Sequence, residues 1–253
     1  MNEVLLMSEK LTFKPNFVQN LNTRNFGVMM ERLDLDPDEG RMAVVPGQAG
    51  WGKSRTTQWW HAQHDSVYLR MQAIWSTSEL DFLQTLLREL GRKTTPGRKG
   101  ACFAAIVDIL INNPMPLFLD EVDRVPARFV DLLRDLTDIT TAPVILIGEE
   151  GLPGQLMCNR RVWSRVAAMA EFKPLRVSDV VIYARQVAGL DLDESVAALL
   201  HQASDGKSVA GNFRVVKRAI LTLLQMLNSE GGSGASVTVE MARTAVRTGL
   251  GGK

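Results

Sequence analysis

Gly47-Gln48-Ala49-Gly50-Trp51-Gly52-Lys53-Ser54 fits the phosphate-loop pattern G-x-x-x-x-G-K-[ST]. It follows a short apolar run at residues 42–45 and precedes a segment of helical composition at 55–64. Strand, glycine loop and helix, in that order, are the context the pattern requires. Such a loop turns tightly and aims backbone N–H groups at phosphate oxygens. Gly50 and Gly52 lack the side chains that would block this approach, and the following helix N-terminus adds its partial positive charge. Lys53 is placed to reach the β- and γ-phosphates, and the Ser54 hydroxyl to sit on Mg²⁺. Residues 47–54, with Arg55 next to them, form the expected nucleotide-binding set. A glycine-rich turn with a chance lysine is the plainer alternative.

Pro116-Leu117-Phe118-Leu119-Asp120-Glu121 is an apolar run that ends in two acids. A buried parallel strand whose C-terminal end meets a ligand has this composition. Asp120 is expected in the Mg²⁺ shell. Glu121 faces another way and is expected to polarise a water for attack on the γ-phosphate. A strand followed by an acidic helix start, with Asp123 and Pro126, is the competing reading. Coupled to the upstream loop, the pair reads as Walker A and Walker B of a hydrolysing NTPase.

Strand-like runs recur at 42–45, 66–71, 116–120 and 143–148, with a weaker one at 169–172. Helical segments at 78–90, 100–111 and 127–136 lie between them. Alternating strands and helices predict an α/β fold, a parallel sheet covered on both faces. After Pro174 the pattern turns all-helical, with segments at 178–188, 193–203, 212–227 and 239–246, and Ser178 and Asp193 as expected N-caps. Two domains are therefore expected, at 1–173 and 174–253. Residues 229–234 read as a flexible link and 249–253 as a disordered tail.

The 253 residues suffice for one large domain and a smaller one, and the 45% apolar and 23% charged content is that of a globular protein. A net charge of +1 means that any DNA affinity must come from a local cluster. Cys102 and Cys158 lack Cys-x-x-Cys spacing and suit a reducing cytoplasm. The apolar run at 4–7 is too short for a signal peptide, and Asp108 interrupts the richest apolar stretch, so no membrane span is expected.

An α/β nucleotide domain followed by a helical lid resembles the AAA+ ATPases along nearly the whole chain. Residues 143–148 with Glu149-Glu150 lie where that family places sensor 1. Asn159-Arg160-Arg161-Val162-Trp163-Ser164-Arg165-Val166 resembles the segment that carries its arginine finger. Arg165 matches the finger position, with Arg160 and Arg161 as competitors and Arg161 held in reserve. Gly211-Asn212-Phe213-Arg214 resembles sensor 2, which implies that Arg214 reaches the γ-phosphate. Within the family the chain resembles the Mu B and TnsC-type transposition regulators, through Trp75-Ser76-Thr77, Leu133-Arg134-Asp135-Leu136-Thr137-Asp138 and Leu146-Ile147-Gly148-Glu149-Glu150-Gly151-Leu152. That resemblance implies ATP and Mg²⁺ as cofactors. Its implied partners are double-stranded DNA, a transposase and other copies of the chain in a ring or filament that hydrolysis dismantles. A helicase-loader-like or secretion-associated ATPase, or an NTP-switched signalling module without DNA binding, are the alternatives.

Two departures stand out. Glu149 occupies the sensor-1 position, where relatives carry Asn, Thr or Ser. A carboxylate beside a γ-phosphate is unfavourable, so ordering a water or pairing with an arginine is its alternative role. Only residues 1–46 precede the loop, too few for the N-terminal DNA-binding domain of the Mu protein. DNA contacts are then expected from the ATPase body. Arg92-Lys93-Thr94-Thr95-Pro96-Gly97-Arg98-Lys99 is the densest basic segment, an interhelical loop whose Arg92, Lys93, Arg98 and Lys99 suit a phosphate backbone. A merely solvated loop is the other reading, and related proteins line the inside of their ring with loops from this region.

Three further features carry less. His61 and His64 have no third ligand nearby, so no metal site is expected. Asp34-Leu35-Asp36-Pro37-Asp38-Glu39 mimics a calcium loop but has Glu39 where Gly is needed, so a helix end and turn is expected. Trp59 and Trp60 are expected to pack on the first helix after the loop.

Overall fold

The computed structural model describes residues 10–35, 41–204, 209–229 and 236–249. The calcium-loop mimic at 36–39, the link at 230–234, the tail from 250 and the N-terminal run at 4–7 lie outside the described residues. Two compact units form. One comprises 21–48 with 52–172. The other gathers the described parts of 1–20 and 173–253 together with 49–51.

The first unit is a five-stranded, all-parallel sheet in the order β2-β3-β4-β1-β5. Its strands are β1 (Met42–Pro46), β2 (Val67–Arg70), β3 (Leu117–Asp120), β4 (Val144–Gly148) and β5 (Val166–Met169). Every residue of β1, β3 and β4 is buried, as continuous apolar runs in a two-sided sheet require. Pro46 is opposite Gly148, Arg70 opposite Asp120 and Asp120 opposite Ile147, so four strands end on one edge of the sheet. Ligands bind at that carboxyl edge in open α/β sheets.

The last strand begins earlier than the expected 169–172. Its register against β1 shifts after Met42, and Ala170 N and Phe172 N still donate to Val44 O and Pro46 O at 3.0 and 2.8 Å. The expected residues are therefore an irregular continuation of β5. The helices of this unit are α1 (Leu21–Leu35), α2 (Lys53–His61), α3 (Glu79–Glu89), α4 (Lys99–Asn112), α5 (Ala127–Thr140), α6 (Leu152–Met157) and α7 (Arg160–Trp163). Of the first of these only the end at 34–39 was expected, because Asn22, Thr23, Asn25 and Gly27 in its body are weak helix formers. Burial of Phe26, Met29, Met30 and Leu33 at helical spacing decides the matter. Ser78 caps α3 by accepting from Asp81 N at 3.3 Å, and Phe82, Leu83, Leu86 and Leu87 form its buried face. The fifth helix runs one turn beyond the expected end at 136, because Thr137 and Thr140 are buried against the core and Thr140 Oγ1 donates to Leu136 O at 2.7 Å.

The second unit contains α8 (Val177–Ala188), α9 (Glu194–Gln202), α10 (Phe213–Ser229) and α11 (Val239–Gly249), packed around Val180, Ala184, Val196, Leu200, Ile220, Leu223 and Ala242. Ser178 lies inside α8 and not at its cap. Arg176 is the N-cap, and the Asp179 carboxylate reaches back to Arg176 N at 2.9 Å. Asp193 does cap α9 by position, without a side-chain hydrogen bond. The segment before α1 belongs to this unit: Lys14 N donates to Val187 O at 2.6 Å, and Asn228 both donates to and accepts from the backbone of Leu11. No described helix is long and apolar enough to cross a membrane.

Candidate functional site

The phosphate loop leaves the carboxyl edge of β1 and enters α2 at Lys53, two residues before the expected start. Gly50 and Gly52 hold φ of 87° and 97°, which a side chain at Cβ disfavours. A Cβ at Gly50 would also collide with the Asn212 carboxamide. Asn212 Nδ2 donates to Ala49 O at 2.8 Å and Phe213 N to Gly50 O at 3.0 Å, within the unit that gathers residues 49–51. Lys53 is only 8% exposed, and its ammonium donates to Gly47 O and, at 3.1 Å, to Gln48 O. Its charge is thus already curled into the loop, where arriving phosphates would compete with neutral carbonyls. Gln48 Nε2 donates to Glu150 Oε2 at 2.8 Å, tying the loop to the end of β4. Ser54 is half-buried and Arg55 exposed on the first turn of α2, while the Trp51 indole N–H is buried without a hydrogen-bond partner among the described residues.

Asp120 is 2% exposed at the end of β3. Tyr68 Oη donates to its Oδ2 at 2.6 Å and Glu121 N to its Oδ1 at 2.9 Å. Burial first, then the carboxylate beside it, pushes the Tyr68 hydroxyl above its ordinary range, so Tyr68 stays a donor. The carboxylate keeps lone pairs free for further donors.

Glu121 adopts φ 59°, the left-handed region, at a cost of about 1–2 kcal/mol for a non-glycine residue. Glu121 Oε1 accepts from Arg70 Nη2, and Arg124 Nη1 lies 2.9 Å from Oε2, an ion-pair approach without hydrogen-bond geometry. The hydrogen bond to Glu121 raises the pKa of the Arg70 guanidinium. Arg70, Arg124 and Tyr68 escaped the sequence reading. An arginine at the carboxyl end of β2, next in the sheet to β3, was the available signal.

Glu149 has an exposed side chain, and its backbone N donates to Asp123 Oδ1 at 3.1 Å. Asp123 also packs on Gly148, where an added Cβ would lie 2.5 Å from Oδ1. This aspartate thus clamps the β3 and β4 ends together. Arg165 precedes β5, at the opposite edge of the sheet from the phosphate loop, since Met42 pairs with Val166. Arg165 Nε and Nη2 donate to Asp138 Oδ1 and Oδ2 at 2.6 and 3.3 Å, a bidentate pair that raises its pKa. Arg160 and Arg161 are exposed on α7, with no side-chain partner among the described residues. Arg214 is exposed on the first turn of α10, its backbone N donating to Asn212 Oδ1 at 3.0 Å.

The basic segment joins α3 to α4, and Arg92, Lys93 and Arg98 are exposed without side-chain partners among the described residues. Lys99 Nζ pairs with Glu79 Oε2 at 2.7 Å. The Pro96-Gly97 turn of this loop is pinned, because Pro96 O accepts from Gln84 Nε2 at 2.8 Å and Cys102 Sγ at 3.1 Å. Trp60 stacks on His64 at 3.9 Å and packs edge-on to Phe118 at 5.2 Å, the packing role expected of it. The Nδ1 atoms of His61 and His64 bond Ser66 Oγ and Trp60 O.

An AAA domain family matches residues 36–156. The Mu-like prophage FluMu DNA transposition protein B of Haemophilus influenzae is 23% identical over 209 residues, spanning 80% of this chain and 70% of that protein. The ATP-dependent target DNA activator B of Escherichia phage Mu is 25% identical over 241 residues, spanning 92% and 73%. Among solved structures, the ORC2 protein of Aeropyrum pernix, in ADPNP-ADP complexes, superposes with a TM-score of 0.65 at 13% identity, covering 94% of this chain and 69% of that one. That last likeness speaks to the fold alone. A parallel sheet ending in a phosphate loop, with likenesses of this extent, supports a P-loop ATPase that resembles the AAA domain family and the Mu B transposition proteins.

Proposed function

We propose that this ATPase is an ATP-dependent regulator of DNA transposition that assembles on target DNA and recruits or stimulates a transposase. The observation that carries the reading is the sequence likeness to two transposition B proteins across 80% and 92% of the chain. Residues 47–55 bind ATP, with Lys53 exchanging loop carbonyls for phosphate oxygens. Ser54 and Asp120 hold Mg²⁺, which neutralises charge on the β- and γ-phosphates. Such an ion would complete its shell with waters and phosphate oxygens.

Glu121 is the base that orients the attacking water. Its ion pairs with Arg70 and Arg124 describe a resting state that opens before hydrolysis. The finger that completes a neighbour's site comes from the Arg160-to-Arg165 segment, and Arg165 acts once released from Asp138. Arg214 senses the γ-phosphate, and Glu149 orders a water or pairs with an arginine. Arg92, Lys93, Arg98 and Lys99 contact the DNA backbone irrespective of sequence. ATP acts chiefly as an assembly switch, and hydrolysis dismantles the assembly.

Measuring ATP turnover with and without duplex DNA tests this. A several-fold stimulation by DNA is expected. DNA-independent turnover together with failure to bind duplex would favour a machine with a different partner.

A further inference from the structure

Glu79 is the first residue of α3, and its carboxylate is bracketed by two cations from other helices. Lys99 Nζ lies 2.7 Å from Oε2 and Arg128 Nε 2.8 Å from Oε1. Arg128 is further oriented by donating from Nη2 to Ser76 O, and its guanidinium lies 5.7 Å from the Phe129 ring centroid. The hydrogen bond from Lys99 holds the Glu79 carboxyl below its ordinary range, so it is fully ionised at neutral pH.

The cations sit where helices disfavour them. Lys99 opens α4 and Arg128 is the second residue of α5, and neither helix has an acid in its first turn or a side-chain cap. A cation at a helix N-terminus opposes the macrodipole. Two positive helix ends and two positive side chains thus converge on one carboxylate, with Arg98 exposed beside them and Asp81 the other acid on the first turn of α3. Both cations are more than half exposed, at 60% and 53%, against 20% for Glu79. An outside anion would therefore reach them readily, in the place where the carboxylate now sits.

We propose that Lys99 and Arg128 form the seat for one backbone phosphate of duplex DNA, and that Glu79 fills this seat as an internal counter-anion until DNA displaces it. The proposal rests on the DNA-binding reading above and extends its surface from the α3–α4 loop to the start of α5. A carboxylate and a phosphate diester both carry one negative charge on two oxygens that can accept a forked set of donors. Glu79 then lowers the affinity for any single phosphate, so that stable binding needs the neighbouring cations Arg92, Lys93 and Arg98 to engage together.

The test is duplex binding at several salt concentrations, with a mixed-sequence DNA duplex and a non-hydrolysable ATP analogue. Arg128→Gln and Lys99→Gln are each expected to weaken binding several-fold and to lower the salt slope by about 1, as loss of one phosphate contact requires. Glu79→Gln is expected to tighten binding several-fold, with a slope no shallower than wild type. Asp81→Asn, which removes one exposed negative charge from the same helix, controls for general electrostatics and should tighten binding less than Glu79→Gln. Wild-type affinity and slope in Arg128→Gln would overturn the seat, as would equal effects of Glu79→Gln and Asp81→Asn. Absence of duplex binding by the wild-type protein would instead overturn the DNA-binding reading on which the seat depends.

Discussion

Arg70, the last residue of β2, hydrogen-bonds the carboxylate of Glu121, the residue that follows β3. The parallel register places Arg70 opposite Asp120, and the left-handed turn at the next residue delivers Glu121 to the guanidinium. If Glu121 is the general base, this pair restrains it. Glu121→Gln is expected to keep ATP binding and slow hydrolysis by about 10²- to 10⁴-fold, the span typical of general-base removal. Arg70→Ala should raise basal turnover, with Arg124 as the remaining restraint. Single-turnover hydrolysis measured beside equilibrium ATP titration checks both. Unchanged turnover in Glu121→Gln would move the catalytic role elsewhere.

Tyr68 supports the carboxylate proposed for the Mg²⁺ shell. Tyr68→Phe removes a hydrogen bond to a buried charged acceptor, worth about 1.5–3 kcal/mol. The folded state raises the Tyr68 pKa above the ordinary 10.0, so the native protein retains that proton where the unfolded chain loses it. Its contribution is complete below the ordinary tyrosine range and is lost as pH climbs above it. Denaturant titrations from pH 7 to 11 should therefore show a steeper alkaline loss for wild type than for Tyr68→Phe.

Arg165 and Asp138 offer a way to separate a finger from a structural clamp. As an exposed pair they contribute at most about 1 kcal/mol to stability, so neither Arg165→Ala nor Asp138→Asn should unfold the protein. A finger restrained by Asp138 predicts opposite effects on ATPase, a loss for Arg165→Ala and a gain for Asp138→Asn. Loss in both would make the pair a clamp. In that case Arg161→Ala, which removes a guanidinium without a described partner, should carry the large ATPase defect.

The residues themselves explain how much of this was legible. The strands at 42–46, 117–120 and 144–148 could be read because a doubly covered parallel sheet demands unbroken apolar runs, and a phosphate loop needs glycines wherever it occurs. The body of the first helix, unlike its end at 34–35, was hidden because its propensities are poor and burial of Phe26, Met29, Met30 and Leu33 sustains it. Glu121 could be read as a candidate base, whereas its partners Arg70 and Arg124 depend on strand register and on a left-handed φ that no local pattern encodes. Asn212 was within the segment singled out for Arg214, yet its contact with Ala49 joins positions 163 apart in sequence. The bracketing of Glu79 by Lys99 and Arg128 likewise joins three helices.

The central claim, assembly on DNA switched by ATP, is tested most directly by imaging the protein with duplex DNA and a non-hydrolysable ATP analogue, beside Lys53→Ala under the same conditions. Wild type is expected to form regular rings or filaments along the duplex that vanish when nucleotide is omitted. Lys53→Ala should form none, because the one phosphate loop in the sequence has lost its ammonium. Bare DNA in the presence of wild type and the analogue, or assemblies of equal extent without nucleotide or with Lys53→Ala, would contradict the account.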